Sequence, residues 1–308
     1  MPEGPFAIVE ISTPSVSFEE DLAAYAAAGV RGIGIWEPKL DEGREGEQLA
    51  AFRASGLRAS AAIPAVPSIL PLPLMPGPAT AGERVDAYIA AMRRLAPFEP
   101  TAFVCLTGPA GDLREEKARA LVAEGLRALG DEAVRLGVPV GLEPMSAHYP
   151  EWTIVRTLGE ADELITEAGG NGLGLTFDTW HLWDTAALEE DLARHGHQIV
   201  AVHVGDWREP TRSWCDRVLP GDGVIKFDRI LGALEAAGWE GFYELEIFSD
   251  DGTFGDAFGD SLWRWPAVEL AERGRRAFES HPSKARSAYA SHFRRRWNSS
   301  AGTKGGSA

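Results

Sequence analysis

Four ionisable residues of this chain stand at or just beyond the ends of short apolar runs. They are Glu143 after Val-Gly-Leu, Asp178 after Leu-Thr-Phe, His203 within Val-Ala-Val-His-Val, and Glu246 within Tyr-Glu-Leu-Glu-Ile. A carboxylate is costly to bury unless it is paired or bound to a metal. Two Glu, one Asp and one His make a mixed oxygen and nitrogen donor set. Such a set suits one divalent ion of borderline hardness, Mn first, with Co, Mg and Zn also compatible. Glu244 shares a strand face with Glu246, but Glu246 sits nearer the strand's C-terminal end and is the better ligand. Singly, each residue also reads as a helix cap, a solvated loop charge or a structural imidazole; the conjunction favours a site.

The elements that must position them follow from the apolar pattern. Eight runs are counted, at 7–11, 32–36, 58–63, 102–106, 138–142, 173–177, 199–204 and 242–248. Several are continuously apolar, as strands buried on both faces are. Amphipathic segments separate them. Ser17-Phe-Glu-Glu20 reads as a capping box that opens a helix stopping at Gly29. Val85, Tyr88, Met92 and Leu95 share one helical face, as do Val122, Leu126 and Leu129 ahead of Gly137. Eight strand–helix units, with no Gly-x-Gly-x-x-Gly after the first run, predict a closed (β/α)8 TIM barrel over 1–280. A last helix from Pro266 and an extension over 281–308 follow, its Ser/Gly-rich end expected to be disordered. In such barrels chemistry sits at the C-terminal ends of the strands, where these four residues fall.

The Pro-rich stretch 64–78 carries six prolines. It reads as a long ordered loop packed over a pocket or against a partner. Trp36, Trp180, Trp183, Trp207 and Trp214 fall on or just beyond the rim, where aromatic faces could pack against a sugar or a flat aglycone. The net charge of −16 repels phosphate backbones, so nucleic acid is not an expected partner. Two cysteines, Cys105 and Cys215, cannot build a disulfide framework and read as reduced cytoplasmic thiols. No signal-peptide pattern and no apolar run long enough for a membrane span are seen.

In this order and spacing, the motifs Gly141-Leu-Glu-Pro144, Phe177-Asp-Thr-Trp-His181, Val202-His-Val-Gly-Asp206, Leu219-Pro-Gly-Asp-Gly223 and Gly241-Phe-Tyr-Glu-Leu-Glu246 resemble the sugar isomerase/epimerase superfamily. This is the xylose-isomerase-like barrel, which also includes the endonuclease IV branch. The resemblance covers about residues 5–250. It implies Glu143, Asp178, His203 and Glu246 as metal ligands, with Glu143 and Glu246 as an acid–base pair on opposite faces of a small polyhydroxylated substrate. It also implies that His181 binds substrate, as does an Arg shortly after the strand-seven His, for which Arg208 and Arg217 are equal candidates. The implied reaction is proton abstraction beside a carbonyl through an enediolate, giving a sugar isomerase or epimerase.

One position departs from that pattern. Epimerases carry a second Glu a turn beyond the strand-five ligand; Tyr149 stands there, flanked by His148 and Glu151. His148 could then serve as an extra base, with Glu151 a substrate contact, in a lyase or dehydratase acting on a keto-sugar, a cyclitol or an oxidised C-glycoside. The endonuclease branch needs extra His ligands on strands three and four, and residues 58–63 and 102–106 contain none. A homo-oligomer or a second subunit is compatible with the family.

Overall fold

The computed structural model describes residues 6–73 and 75–281. Eight parallel strands form a closed barrel. They are β1 (Phe6–Val9), β2 (Gly32–Trp36), β3 (Arg58–Ile63), β4 (Ala102–Cys105), β5 (Val140–Leu142), β6 (Leu173–Asp178), β7 (Ile199–Val204) and β8 (Tyr243–Leu245). β8 returns to β1 with Tyr243 opposite Phe6, which removes both sheet edges. The small interior residues Gly34, Ala61 and Gly141 fit the crowded barrel axis. A Cβ on Gly141 would come within 2.3 Å of the Thr176 hydroxyl.

Four strands, β1, β4, β5 and β8, are shorter than their apolar runs. β1 stops at Val9 because Glu10–Ser12 turn into a 3-10 helix. The Ser12 hydroxyl then replaces ladder bonds, donating to the Leu245 carbonyl at 3.1 Å and accepting from the Ile247 amide at 2.9 Å. β8 therefore ends at Leu245, although the Glu246 amide still bonds the Val204 carbonyl at 3.0 Å.

A helix follows each strand on the outside. α1 (Phe18–Ala27) opens on the Ser17–Glu20 capping box, both of whose hydrogen bonds are present. α2 is Glu45–Ser55, α3 Ala81–Leu95, α4 Glu115–Leu136 and α5 Leu158–Ala168. α6 is Leu188–His195, α7 Phe227–Ala236 and α8 Ala267–Glu279. α8 is the barrel's own eighth helix: Phe278 stacks on Phe6 at 5.2 Å, and Gly274 lies where a Cβ would meet Leu245 at 2.4 Å. The extension expected at 281–308 lies outside the described residues apart from His281. No helix among the described residues is long and apolar enough to cross a membrane.

The Pro-rich loop is ordered by its surroundings. Ile69 and Leu70 amides bond the carbonyls of Leu106 and Thr107, at 3.1 and 2.8 Å. Buried Arg84 of α3 donates to the Ser68 carbonyl and hydroxyl, both at 2.8 Å, and to the Pro78 carbonyl at 3.1 Å. A segment with little regular structure of its own thus has two of its carbonyls satisfied by one guanidinium.

Candidate metal centre

Adjacent strands deliver the four expected ligands to one end of the barrel. Glu143 follows β5, Asp178 ends β6, His203 is the fifth residue of β7 and Glu246 follows β8. All four are buried, Asp178 and His203 completely. His203 Nδ1 lies 3.3 Å from Glu143 Oε1 and 3.7 Å from Glu246 Oε2. Donor atoms of Asp178, His203 and Glu246 lie within 4.8 Å of one another, as do those of Glu143, Asp178 and His181. Ligands bonded at about 2.0–2.2 Å to one ion stand at most about 4.4 Å apart. Each triad is therefore within small side-chain adjustments of ligating one divalent ion, and the two share Asp178. Glu244 points elsewhere: its carboxylate accepts from the Ser60 hydroxyl at 2.6 Å and the Ala61 amide at 3.0 Å.

The charge balance supports the fit. Among the described residues, the guanidinium in contact with these acids is that of Arg217. Its Nη1 lies 2.8 Å from Asp178 Oδ2 and 3.0 Å from Glu246 Oε2. Its plane stacks over Trp180 and Phe248 at 4.8 and 4.9 Å. Burial alone would raise Asp178, but Arg217 and the neighbouring imidazoles hold it below the ordinary carboxylate range. Burial raises Glu246 to about 7 despite His203 and Arg217. Burial also opposes a charge on His203, yet Glu246 and Glu143 outweigh it and raise that imidazole to about 10. Without an ion, the cluster takes up a proton on His203 to offset its own negative charge.

His181 lies beside the cluster in a different state. Burial lowers it to about 4, so it is neutral. Its Nδ1 accepts the Ser146 amide at 3.2 Å, which places the ring proton on Nε2. That Nε2 is 3.7 Å from Asp178 Oδ2 and 3.4 Å from Arg217 Nη2. His181 is thus a neutral donor held at the site.

A cavity of about 360 Å³ opens above this centre, with Glu143, His181, Arg217 and Glu246 in its lining. Trp36 and Trp214 also line it, while Trp180 and Trp183 each pack at a tilt against Trp207 outside it, at 4.8 and 5.8 Å. The two arginine candidates separate here. Arg217 is in the site, whereas Arg208 is drawn away by Asp216 at 2.9 Å and Asp260 at 3.2 Å. His148 is exposed, 2.6 Å from Asp184 and packed on Trp207, and does not line the cavity. Glu151 is likewise exposed and outside it. Tyr149, where epimerases would place a second Glu, stacks between Trp152 at 4.5 Å and Trp180 at 5.7 Å.

Sequence reading missed much of the wall. Met145, Trp152, Phe248, Phe254 and Trp263 line the cavity from the loops after β5 and β8. Their signal was available, as large apolar residues within polar loops. The Leu219–Gly223 motif proves structural. Asp206 accepts four backbone amides, from Trp207, Gly221, Gly223 and Ile225, at 2.8–3.0 Å. A Cβ at Gly223 would lie 2.5 Å from that carboxylate.

Barrel and centre together define a class, and the sequence pattern of the xylose isomerase-like TIM barrel family matches residues 22–281. The chain belongs to that family. Among curated relatives, the inosose dehydratase of Geobacillus thermodenitrificans is 32% identical over 148 residues, 42% of this chain and 47% of that protein. The inosose isomerase of Bacillus velezensis is 30% identical over 138 residues, 44% and 48% of the two chains. The chain thus spans about half the length of the curated relatives it matches. Protein SMc04130 of Sinorhizobium meliloti 1021 superposes with a TM-score of 0.79 at 28% identity, over 90% of this chain and 98% of that one. The IOLI protein, solved with a zinc atom bound, gives a TM-score of 0.73 at 19% identity over 91% and 99%, a likeness of fold.

Proposed function

We propose that this chain is a divalent-metal-dependent enzyme that moves a proton at a carbon beside a carbonyl in a small polyhydroxylated substrate, as an isomerase or epimerase. The observation that carries the reading is the clustering of buried Glu143, Asp178, His203 and Glu246 in two overlapping groups that share Asp178, below a cavity lined by Glu143 and Glu246. A bound ion, Mn by our first reading and with Co, Mg or Zn able to replace it, would polarise the carbonyl and offset negative charge as the proton leaves. Glu143 and Glu246 hold the positions of base and acid, reaching the cavity from β5 and β8, three strands apart around the ring. General acid–base action of this kind contributes about 10²–10⁴-fold. Neutral His181 donates from Nε2 to a substrate oxygen, and Arg217 pairs with Asp178 and Glu246 while the centre is free of metal. Relatives named as an inosose isomerase and a zinc-bound barrel protein support this reading. Buried free thiols at Cys105 and Cys215 support a cytoplasmic location.

A lyase reading shares the proton abstraction and then expels water or another leaving group. The Tyr149 stack favours it, because that position offers no second carboxylate; so does the relative named inosose dehydratase. Incubating the Mn-loaded protein with an oxo-cyclitol in D2O, followed by NMR, tests both. Isomerisation exchanges one C–H and conserves mass, whereas a lyase loses water or yields two products. Absence of exchange, or exchange indifferent to a chelator, refutes the proposal.

A further inference from the structure

The cavity is far less polar than a free sugar. Of the 24 residues that line it, five carry charged, imidazole or hydroxyl groups: Glu143, His181, Arg217, Glu246 and Thr253. The first four belong to the metal centre, so the polar groups are concentrated at the floor. Above them one wall is a run of aromatic rings. Trp214 meets Trp152 edge-on at 5.3 Å and Phe254 at 4.9 Å, and Phe248 meets Trp263 at 6.2 Å. The facing wall is Leu72, Met75 and the prolines of the loop after β3. β3 lies across the eight-stranded ring from β7, whose loop carries Trp214. The space between is an apolar slot continuous with the polar floor.

A polyol has a hydroxyl on nearly every carbon, and each one buried without a partner costs roughly a hydrogen bond's desolvation. Floor groups can satisfy the few oxygens nearest the reacting carbon; the walls offer the rest little. A volume of about 360 Å³ lies within the roughly 300–1,000 Å³ of pockets for ligands of drug-like size. Phe254 stands 47% exposed at the mouth, an apolar ring that a bound apolar group would cover.

We infer that the substrate is an oxidised sugar or cyclitol bearing a flat aromatic group, its polyol head on the metal floor and its ring between the Trp214 wall and the Pro-rich loop. The placement of the head rests on the proposed proton-transfer reading. The placement of the ring rests on the walls alone.

The test compares phenyl β-D-glucopyranoside with methyl β-D-glucopyranoside by calorimetry on the full chain, with and without Mn. Their heads are identical and only the aglycone differs. The phenyl compound should bind about tenfold tighter or more, the increment that removing a phenyl-sized face from water supplies. Trp214→Ala should abolish most of that ratio, and Phe254→Ala, at the exposed rim, should reduce it without endangering the fold. Equal affinities, or a phenyl glucoside no tighter than its methyl partner up to its solubility limit, overturn the inference. Proton exchange in D2O with no aryl preference refutes this inference alone; an aryl preference with no metal-dependent exchange refutes the functional proposal alone.

Discussion

Binding of a divalent ion should release protons, in a number that the metal-free cluster sets. His203 is raised to about 10 by Glu246 and Glu143, so at pH 8 it carries its proton almost fully. Glu246, raised to about 7 by burial, is then about nine-tenths ionised. Ligation requires a neutral imidazole and an ionised carboxylate. The ion must therefore displace about one proton at pH 8, and more as pH falls toward 6. These steps belong to the cluster as a whole, since the groups titrate together. Calorimetric titration with MnCl2 in pairs of buffers of different ionisation enthalpy reads this number directly. His203→Gln should lower it by about one proton at pH 8. Release below about 0.3 proton at pH 8, or equal release from His203→Gln, would refute the argument that three acids hold a cation site closed with a proton.

The same shifts give a sign for stability in the metal-free protein. The folded pKa of His203 lies above its unfolded value, so its contribution is present below about 6.5 and is lost as pH rises through about 10. Glu246 acts in the same direction, its contribution lost as pH rises through about 7; neutral His181 acts the other way up to about pH 6.5, so the melting temperature after EDTA treatment should fall from about pH 7 to about pH 10, and saturating Mn should flatten the slope. Arg217→Met leaves buried acids without their guanidinium, a loss of about 3–5 kcal/mol in the metal-free state that added metal should largely reverse, read by thermal melts with and without the ion. Glu246→Gln should lower kcat by about 10²–10⁴-fold in the exchange assay. His148→Ala should leave that assay within about twofold of the parent, because the ring faces Asp184 and Trp207 rather than the cavity.

The barrel was legible because its strands are buried on both faces and so read as unbroken apolar runs; β2, β3 and β7 run to the residue where those runs do. The short ends of β1 and β8 were hidden, since nothing in Glu-Ile-Ser shows that the Ser12 hydroxyl will stand in for ladder bonds. The candidate ligands were legible because each acid or imidazole lies in or directly after a strand. Arg217 could not be told from Arg208 by spacing alone: what separates them is Asp216, which captures Arg208 and leaves Arg217 to turn inward. His148 misled for a related reason, its partner Asp184 lying 36 positions away. The apolar slot was half visible, as the Pro-rich loop and the rim tryptophans, but which aromatics face inward depends on the packing of the loops after β5, β7 and β8.

The central claim is best tested by anomalous diffraction from crystals of the full chain soaked in MnCl2. One strong peak is expected at the mouth of the barrel, about 2.0–2.3 Å from oxygens of Glu143, Asp178 and Glu246 and from His203 Nδ1, with Arg217 withdrawn from Asp178. A soaked crystal without a peak there, or with manganese held only by surface carboxylates, would contradict it.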